Sequence, residues 1–300
     1  LPETSIDEMI DEMKSQLVER NADHYSMSFS FTRGYLEIHS DLLKMNFRGD
    51  VTDFNKKVNK LSAGKPLTIY VGYDSRHKDI AELSAKCLKS SILFGAGHGD
   101  IHDILGDWTP EIKFLDISKI PEYNREYAAQ STEFTYSRFL IPYLENYEGF
   151  SIFIDDDILF NESILPMFYY LDLDDAVACV QYDFDTYAET KFNGEKNVSY
   201  PKKLWSSLMI FNNGHEDCKK LTPEVINTES GKYLHQFEWT DKISEIPEWY
   251  VITEGHDTQE EKWRACAIHY TRGGPWIEGM DTSEIEHLNM YERFKNKHQN

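Results

Sequence analysis

The chain has 300 residues, 40% of them hydrophobic and 14% aromatic, enough to bury the core of one large domain or two small ones. Its 52 acidic and 31 basic residues give a formal charge of -21, which excludes a general nucleic-acid binder and argues against docking on an anionic membrane. No apolar run reaches the roughly 18–20 residues of a membrane span, and the N-terminus does not resemble a signal peptide, so a cytoplasmic location is expected. The chain opens on Leu1 rather than Met, which leaves room for an upstream segment. Cys87, Cys179, Cys218 and Cys266 form no Cys-x-x-Cys pair, which argues against a zinc or disulfide framework, and Cys87, Cys179 and Cys266 lie in apolar stretches and read as core residues of a reduced protein.

Residues 1–65 read as an N-terminal helical extension, and 66–300 as the main domain. Ser5 and Glu8 form a capping box before Ile6, Met9, Ile10, Met13 and Leu17, which repeat at helical spacing. A second helix is expected from Tyr35 to Met45. The extension either docks on the main domain or joins two copies of the chain in a homo-oligomer. After the linker Ser62–Pro66, strands are expected at 67–72, 111–117, 151–154, 175–182, 206–211, 249–253 and 264–270. A helix is expected at 78–94, with Ile80, Leu83, Cys87, Leu88 and Ile92 on one face, and another starting at Tyr136. This alternation of strands and helices points to an α/β domain with parallel strands.

Four segments carry candidate chemistry. Ser151-Ile-Phe-Ile runs into Asp155, Asp156 and Asp157, a carboxylate cluster at the C-terminal end of a buried strand, where open α/β sheets bind ligands. Two carboxylates one residue apart suit a hard cation such as Mg²⁺ or Mn²⁺ that bridges phosphates. A solvated acidic turn is the plainer alternative. His269 ends another apolar strand and precedes Arg272, Gly273, Gly274, Pro275 and Trp276. Imidazole is a suitable third ligand for Mn²⁺, and the glycines allow backbone N–H groups close to a phosphate. Arg138 is a lone charge in Phe134–Pro142, able to hold a polar ligand or to form a structural pair with an Asp. Tyr73 and Asp74 end the first strand, where a base and ribose would rest, or where an ordinary strand-to-helix turn would sit.

In this order, Val71-Gly-Tyr-Asp-Ser-Arg76, Thr135-Tyr-Ser-Arg-Phe139, Phe153-Ile-Asp-Asp-Asp157 and His269-Tyr-Thr-Arg-Gly-Gly-Pro-Trp276 resemble the nucleotide-sugar glycosyltransferases of the GT-A fold. The likeness is greatest to the group around glycosyltransferase family 8 and to bacterial and viral glycosyltransferase-like proteins. It implies a Rossmann-like GT-A domain with a mixed central sheet, spanning about Leu67 to Trp276. It implies Asp155, Asp157 and His269 as ligands of Mn²⁺ or Mg²⁺, with Asp156 and Arg138 toward the ribose or donor sugar. Tyr73 and Asp74 would meet the base and ribose, and Gly273 and Gly274 the diphosphate. Arg272 would replace the lysine the family carries before its Pro-Trp. The implied reaction moves a sugar from a UDP-sugar to a hydroxyl acceptor such as a glycan, with retention of configuration. Inversion would need a carboxylate base, for which Asp183, Glu238 and Asp241 are candidates.

The competing functions are a DxD phosphatase, a dinucleotide oxidoreductase and a non-catalytic glycan-binding or assembly protein. The phosphatase pattern places its acidic strand near the start of the domain and is followed by Thr or Val where this chain has Leu159. Gly95-Ala-Gly-His-Gly99 follows a helix rather than a strand, so the dinucleotide fingerprint fails.

Overall fold

The computed structural model describes residues 27–32, 35–40, 45–50, 58, 60–62, 64–95, 110–125, 130–182, 202, 204–255 and 266–298. Strands β1 (Met27–Thr32), β2 (Tyr35–Ser40) and β3 (Met45–Asp50) form an antiparallel sheet in the order β1-β2-β3. The helix expected from Tyr35 to Met45 is therefore corrected to strands. Met27-Ser-Phe-Ser-Phe-Thr32 and Met45-Asn-Phe-Arg48 alternate apolar and polar residues with a period of two, which is a strand pattern. The pairing of Thr32 with Tyr35 leaves Arg33-Gly34 between β1 and β2, a hairpin spacing. The capped run Ile6–Leu17 lies outside the described residues, as do Asp183 and Gly97–Gly99.

The main sheet begins with β4 (Thr68–Gly72), followed by helix α1 (Lys78–Gly95) and β5 (Glu111–Leu115). A 3-10 turn (Ser137–Leu140) and the short α2 (Ile141–Leu144) lead to β6 (Phe150–Ile154) and β7 (Ile158–Phe160). Then come β8 (Val177–Val180), β9 (Leu208–Asn212), α3 (Pro223–Thr228), α4 (Gly231–His235), β10 (Ile243–Ile246), β11 (Val251–Thr253), β12 (Ala267–His269) and α5 (Leu288–His298). Six strands pair in the order β10-β8-β9-β6-β4-β5, and β9 alone runs against the rest. The sheet is mixed rather than fully parallel, because β9 returns antiparallel to β6.

The two crossovers from β4 to β5 and from β5 to β6 lie on opposite faces. Helix α1 buries Ala81, Leu88 and Ile92 against Ile69 and Val71 of β4 and Ile152 and Ile154 of β6. Phe139, Leu140 and Ile141 cover the other face, against Tyr70 of β4 and Phe153 of β6. Alternating side chains along two strands, both buried throughout, supply these two cores. The chain thus leaves β4 in one direction and returns to β6 on its other side. The crevice between their C-terminal ends is the topological switch point, where open sheets bind ligands.

Beyond β6 the chain turns out of the main sheet into β7, which pairs with β12 in a small sheet of order β11-β12-β7. The other side of α1 buries Ile80, Leu83 and Cys87 against Tyr291 and Phe294 of α5. Ser84 Oγ donates to the Ile158 carbonyl at 2.7 Å, tying α1 to β7 just past the three aspartates. No helix among the described residues is long and apolar enough to cross a membrane.

Candidate active site

The fold places two distant sequence segments side by side. The antiparallel register of β12 with β7 pairs His269 with Ile158, and the Tyr270 N–H donates to the Asp157 carbonyl at 3.1 Å. One ligand atom each from Asp155, Asp157 and His269 falls within 4.8 Å of the others. His269 Nε2 stands 3.2 Å from Asp157 Oδ1 and 3.9 Å from Asp155 Oδ2. Asp155 follows β6 directly, and its N–H donates to the Ser207 carbonyl at 2.8 Å.

Arg138 is buried against this cluster. Its Nη1 comes within 2.7 Å of Asp155 Oδ1 while donating to the Ser206 carbonyl at 2.7 Å. The guanidinium lies over the rings of Phe153 and Phe134, 4.7 and 5.3 Å from their centroids. Both readings of Arg138 made from sequence concern charge, and the contact present is the structural pair with Asp155. That one arginine does not balance the three acids: Asp155 Oδ1 and Asp157 Oδ1 are both sealed from water, the first against Arg138 and the second against His269. Burial pushes the Asp155 carboxyl up to about 6 against the pull of Arg138, with Asp157 adding to the rise. Asp156 is also buried, and burial with Asp157, Asp155 and Asp74 around it raises its carboxyl well above the usual range. Burial alone would depress the His269 imidazole, but Asp157 and Asp155 outweigh it and draw it up.

Three acids here share one arginine and one histidine, and a divalent cation fits the excess negative charge. Two carboxylates and an imidazole form a donor set that Mn²⁺ accepts and Mg²⁺ tolerates.

The end of β4 is organised differently. Asp74 is buried, and its Oδ1 accepts from the Arg76 N–H at 3.0 Å and from Arg76 Nε at 2.8 Å. Its Oδ2 accepts from Arg76 Nη2 at 2.5 Å and from the Glu133 N–H at 3.2 Å. Burial pushes this carboxyl up, but the Arg76 donors outweigh it and hold it below the usual carboxylate range. Asp74 therefore fastens the turn to the segment before Arg138, and Glu133 completes the latch by accepting from Ser75 Oγ and N–H at 2.6 and 2.8 Å. Tyr73 is half-buried with its ring 5.5 Å from that of Phe114.

After His269, the Gly273 N–H donates to the Tyr270 carbonyl at 2.8 Å. Gly274 has no room for a side chain, because the Trp276 ring lies where a Cβ would be. Arg272 is exposed, and its Nη2 donates to the Gly255 carbonyl at 3.1 Å. Its guanidinium fills the space beside Gly255, whose φ of +76° also favours glycine.

Of the candidate bases, Asp241 and Glu238 are not among the clustered groups, and Asp183 lies outside the described residues. Asp241 immediately precedes β10, at the N-terminal edge of the parallel strands, whereas Asp155 stands at their C-terminal edge. Two residues of spacing from β10 could not reveal this, because the edge is decided by strand direction. Glu238 is exposed and paired with Lys232 at 2.7 Å.

Three contributors were not identified from sequence. The turn Trp205–Ser207 supplies the two carbonyls that hold Arg138 and Asp155, and it starts from Leu204 at φ 63°, a left-handed conformation costly for leucine. Ser207 stabilises that turn by donating its N–H and Oγ to the Leu204 carbonyl at 3.0 and 2.7 Å. His235 of α4 lies 2.8 Å, through Nδ1, from Ser206 Oγ. Glu254 is buried beside β12: its N–H donates to the His269 carbonyl at 3.0 Å, and its Oε1 accepts from the His287 N–H. Burial raises the Glu254 carboxyl. An acid ending the apolar run Val251-Ile-Thr was the available signal for it.

Residues 108–240 match Glycosyl transferase family 8. The chain is 37% identical over 236 residues to Protein CDI of Arabidopsis thaliana, an alignment covering 77% of this chain and 87% of that protein. The chain belongs to glycosyltransferase family 8. Its mixed sheet is that of a GT-A glycosyltransferase, and membership sets aside the phosphatase and dinucleotide readings. Among solved structures it is similar to the WbbM bifunctional glycosyltransferase at TM-score 0.49 and 13% identity, covering 77% of this chain and half of that one. It is also similar to the galactosyltransferase LgtC, solved with donor and acceptor sugar analogs, at TM-score 0.45 and 12% identity, covering 77% of this chain and 95% of that one.

Proposed function

We propose that this family 8 protein transfers a sugar from a UDP-sugar to a hydroxyl acceptor, such as a glycan, with a divalent cation held by Asp155, Asp157 and His269. The observation that carries this reading is the set of three ligand atoms within 4.8 Å at the switch point, where three neighbouring aspartates share Arg138 and His269 as basic partners. A bound Mn²⁺ or Mg²⁺ would supply charge neutralisation for the departing diphosphate. The protein's own part is to hold the acids in place. Arg138 and the Ser207 carbonyl fix Asp155, while the pairing of β7 with β12 fixes Asp157 against His269. Arg272 and Gly274 stand on the segment following His269, where they would meet the diphosphate.

Retention is the favoured course. The acceptor hydroxyl bonds to the anomeric carbon, the bond from that carbon to the phosphate oxygen breaks, and the hydroxyl proton passes to the leaving phosphate. This needs no enzymic base, consistent with the position of Asp241 at the opposite edge of the sheet. The test is incubation with a panel of UDP-sugars and Mn²⁺, following UDP release and the anomeric configuration of the product by NMR. Metal-dependent release with retained configuration is expected. Release that ignores chelator, or an inverted product, would contradict the reading.

A further inference from the structure

The strand that carries His269 is short, and so are its neighbours. β12 has three residues and pairs with β11 and β7, each also of three residues. Strands of about five or six residues are usual, so this pairing alone is a weak hold on a site ligand. His269 is the last residue of β12, and its place depends on what grips the chain beyond it. Glu254 and Tyr270, the residues after the paired Thr253 and His269, provide that grip. The Glu254 N–H donates to the His269 carbonyl at 3.0 Å, and the Glu254 carbonyl accepts from Thr271 Oγ1 at 2.9 Å. Its buried carboxylate accepts from the N–H groups of His287, at 3.2 Å, and of Glu286, immediately before α5. Tyr270 Oη donates to the His287 carbonyl at 3.2 Å, and its ring meets those of Trp276 and Tyr291 edge-on. The link Glu286–His287 is therefore held from β11 by a carboxylate and from β12 by a phenol.

We propose that Glu254 is a positioning residue for the metal centre: its carboxylate bolts the segment from His269 to Arg272 onto the start of α5, so that His269 stays aimed at Asp155 and Asp157. The proposal rests on the metal-dependent reading above and adds the C-terminal helix to the structure that the site needs. Two observations support it. A carboxylate buried among apolar strands is costly unless donors meet it, and the donors that meet this one come from the chain entering α5. The same corner also holds Arg272, whose Nη2 donates to the carbonyl of Gly255, the residue after Glu254. An acid that only supports the fold would cost stability when removed. An acid that positions His269 costs metal affinity as well.

Mn²⁺ binding to the full chain, followed by electron paramagnetic resonance, tests this, with stability measured by denaturation in parallel. The variants are Glu254→Ala, Glu254→Gln and Tyr270→Phe, with Asp217→Ala as the control. Asp217 pairs with Lys220 and accepts from Thr240 Oγ1, and it follows β9, whose end Asn212 lies opposite Phe150 at the edge of the sheet away from Asp155. Its loss should cost stability and leave Mn²⁺ affinity unchanged. Glu254→Ala should weaken Mn²⁺ by about 10- to 100-fold, the usual effect of removing a group that orients a metal ligand. Glu254→Gln keeps an oxygen for the same N–H groups and should recover most of that loss. Tyr270→Phe removes one bond to the same link, keeps the ring, and should weaken Mn²⁺ by a smaller factor. Mn²⁺ affinity in Glu254→Ala equal to that of the control would overturn the proposal. If Glu254→Ala does not fold, Tyr270→Phe decides: a lower affinity supports the proposal and an unchanged one overturns it. A wild type that binds no Mn²⁺ would overturn the metal reading itself.

Discussion

Asp74 and Asp155 end neighbouring parallel strands on the same side of the sheet, yet the protein uses them in opposite ways. Asp74 receives four donors and is held below the ordinary carboxylate range, so it serves as a structural latch. Asp155 has an arginine within 2.7 Å and is still pushed up to about 6 by burial and by Asp157 beside it. The difference lies in what surrounds each acid. Asp74 has Arg76 two residues away and little competing charge, whereas Asp155 shares one arginine with Asp156 and Asp157 beside it. Saturated carboxylates hold backbone, and under-compensated ones create demand for a cation.

The largest expected effect comes from removing the arginine. Arg138→Ala leaves Asp155 and its neighbours buried with His269 as the remaining basic partner, and should cost about 3–5 kcal/mol of folding stability by chemical denaturation. Recovery of much of that loss in saturating Mn²⁺ is expected, because the cation takes over the guanidinium's electrostatic role. A variant as stable as wild type without metal would mean that the acids are not strained. Asp74→Ala should cost less, about 1–3 kcal/mol, since it frees one turn and takes the carboxylate from a half-exposed arginine that still donates to the Ser131 carbonyl. Its Mn²⁺ affinity should be unchanged, and a loss of metal binding would erase the contrast between the two strand ends.

A third prediction concerns pH. The carboxyls of Asp155 and Asp156 and the imidazole of His269 are all raised in the folded state. The folded protein therefore binds these protons more tightly than the unfolded chain. For Asp155, the stabilisation is present below the unfolded carboxylate value near about 4 and is lost as pH rises through about 6, and the raised Asp156 acts in the same direction. For His269, it is lost above about 6.5, its unfolded value, as pH rises through the raised folded one. Without metal, Tm should fall between pH 5 and pH 8, and saturating Mn²⁺ should flatten that slope. A Tm that rises over this range without metal would contradict the electrostatic account. The smallest effect is expected at the far edge of the sheet: Asp241→Asn should leave the rate of sugar transfer within about twofold of wild type, and a loss of two orders of magnitude would restore it as a base.

Much of the main sheet is legible in the sequence because each strand near the site is an apolar run ending in a polar signal. Phe150–Ile154 before the aspartates, Val71-Gly72 before Tyr73, and Ala267-Ile268 before His269 show this directly. The meeting of Asp157 with His269 rests on the pairing of β7 with β12, and β7 is too short at three residues to stand out from the acidic turn before it. Strand direction is equally silent in local sequence, which is why Asp241 looks like a candidate base until β10 is seen to run parallel to β8. The N-terminal strands fail for a different reason. Leu36, Ile38, Leu42 and Met45 fit a loose helical stripe, but the strict alternation of Met27, Phe29 and Phe31 identifies the hairpin to which Tyr35–Ser40 belongs.

The central claim is that Asp155, Asp157 and His269 together bind a divalent cation needed to hold a nucleoside diphosphate. The most direct measurement is calorimetric titration of UDP with and without Mn²⁺, on the wild type and on Asp157→Ala. The account predicts UDP binding by the wild type that requires Mn²⁺ and is lost in Asp157→Ala. UDP binding of equal strength without the ion, or in the variant, would contradict it.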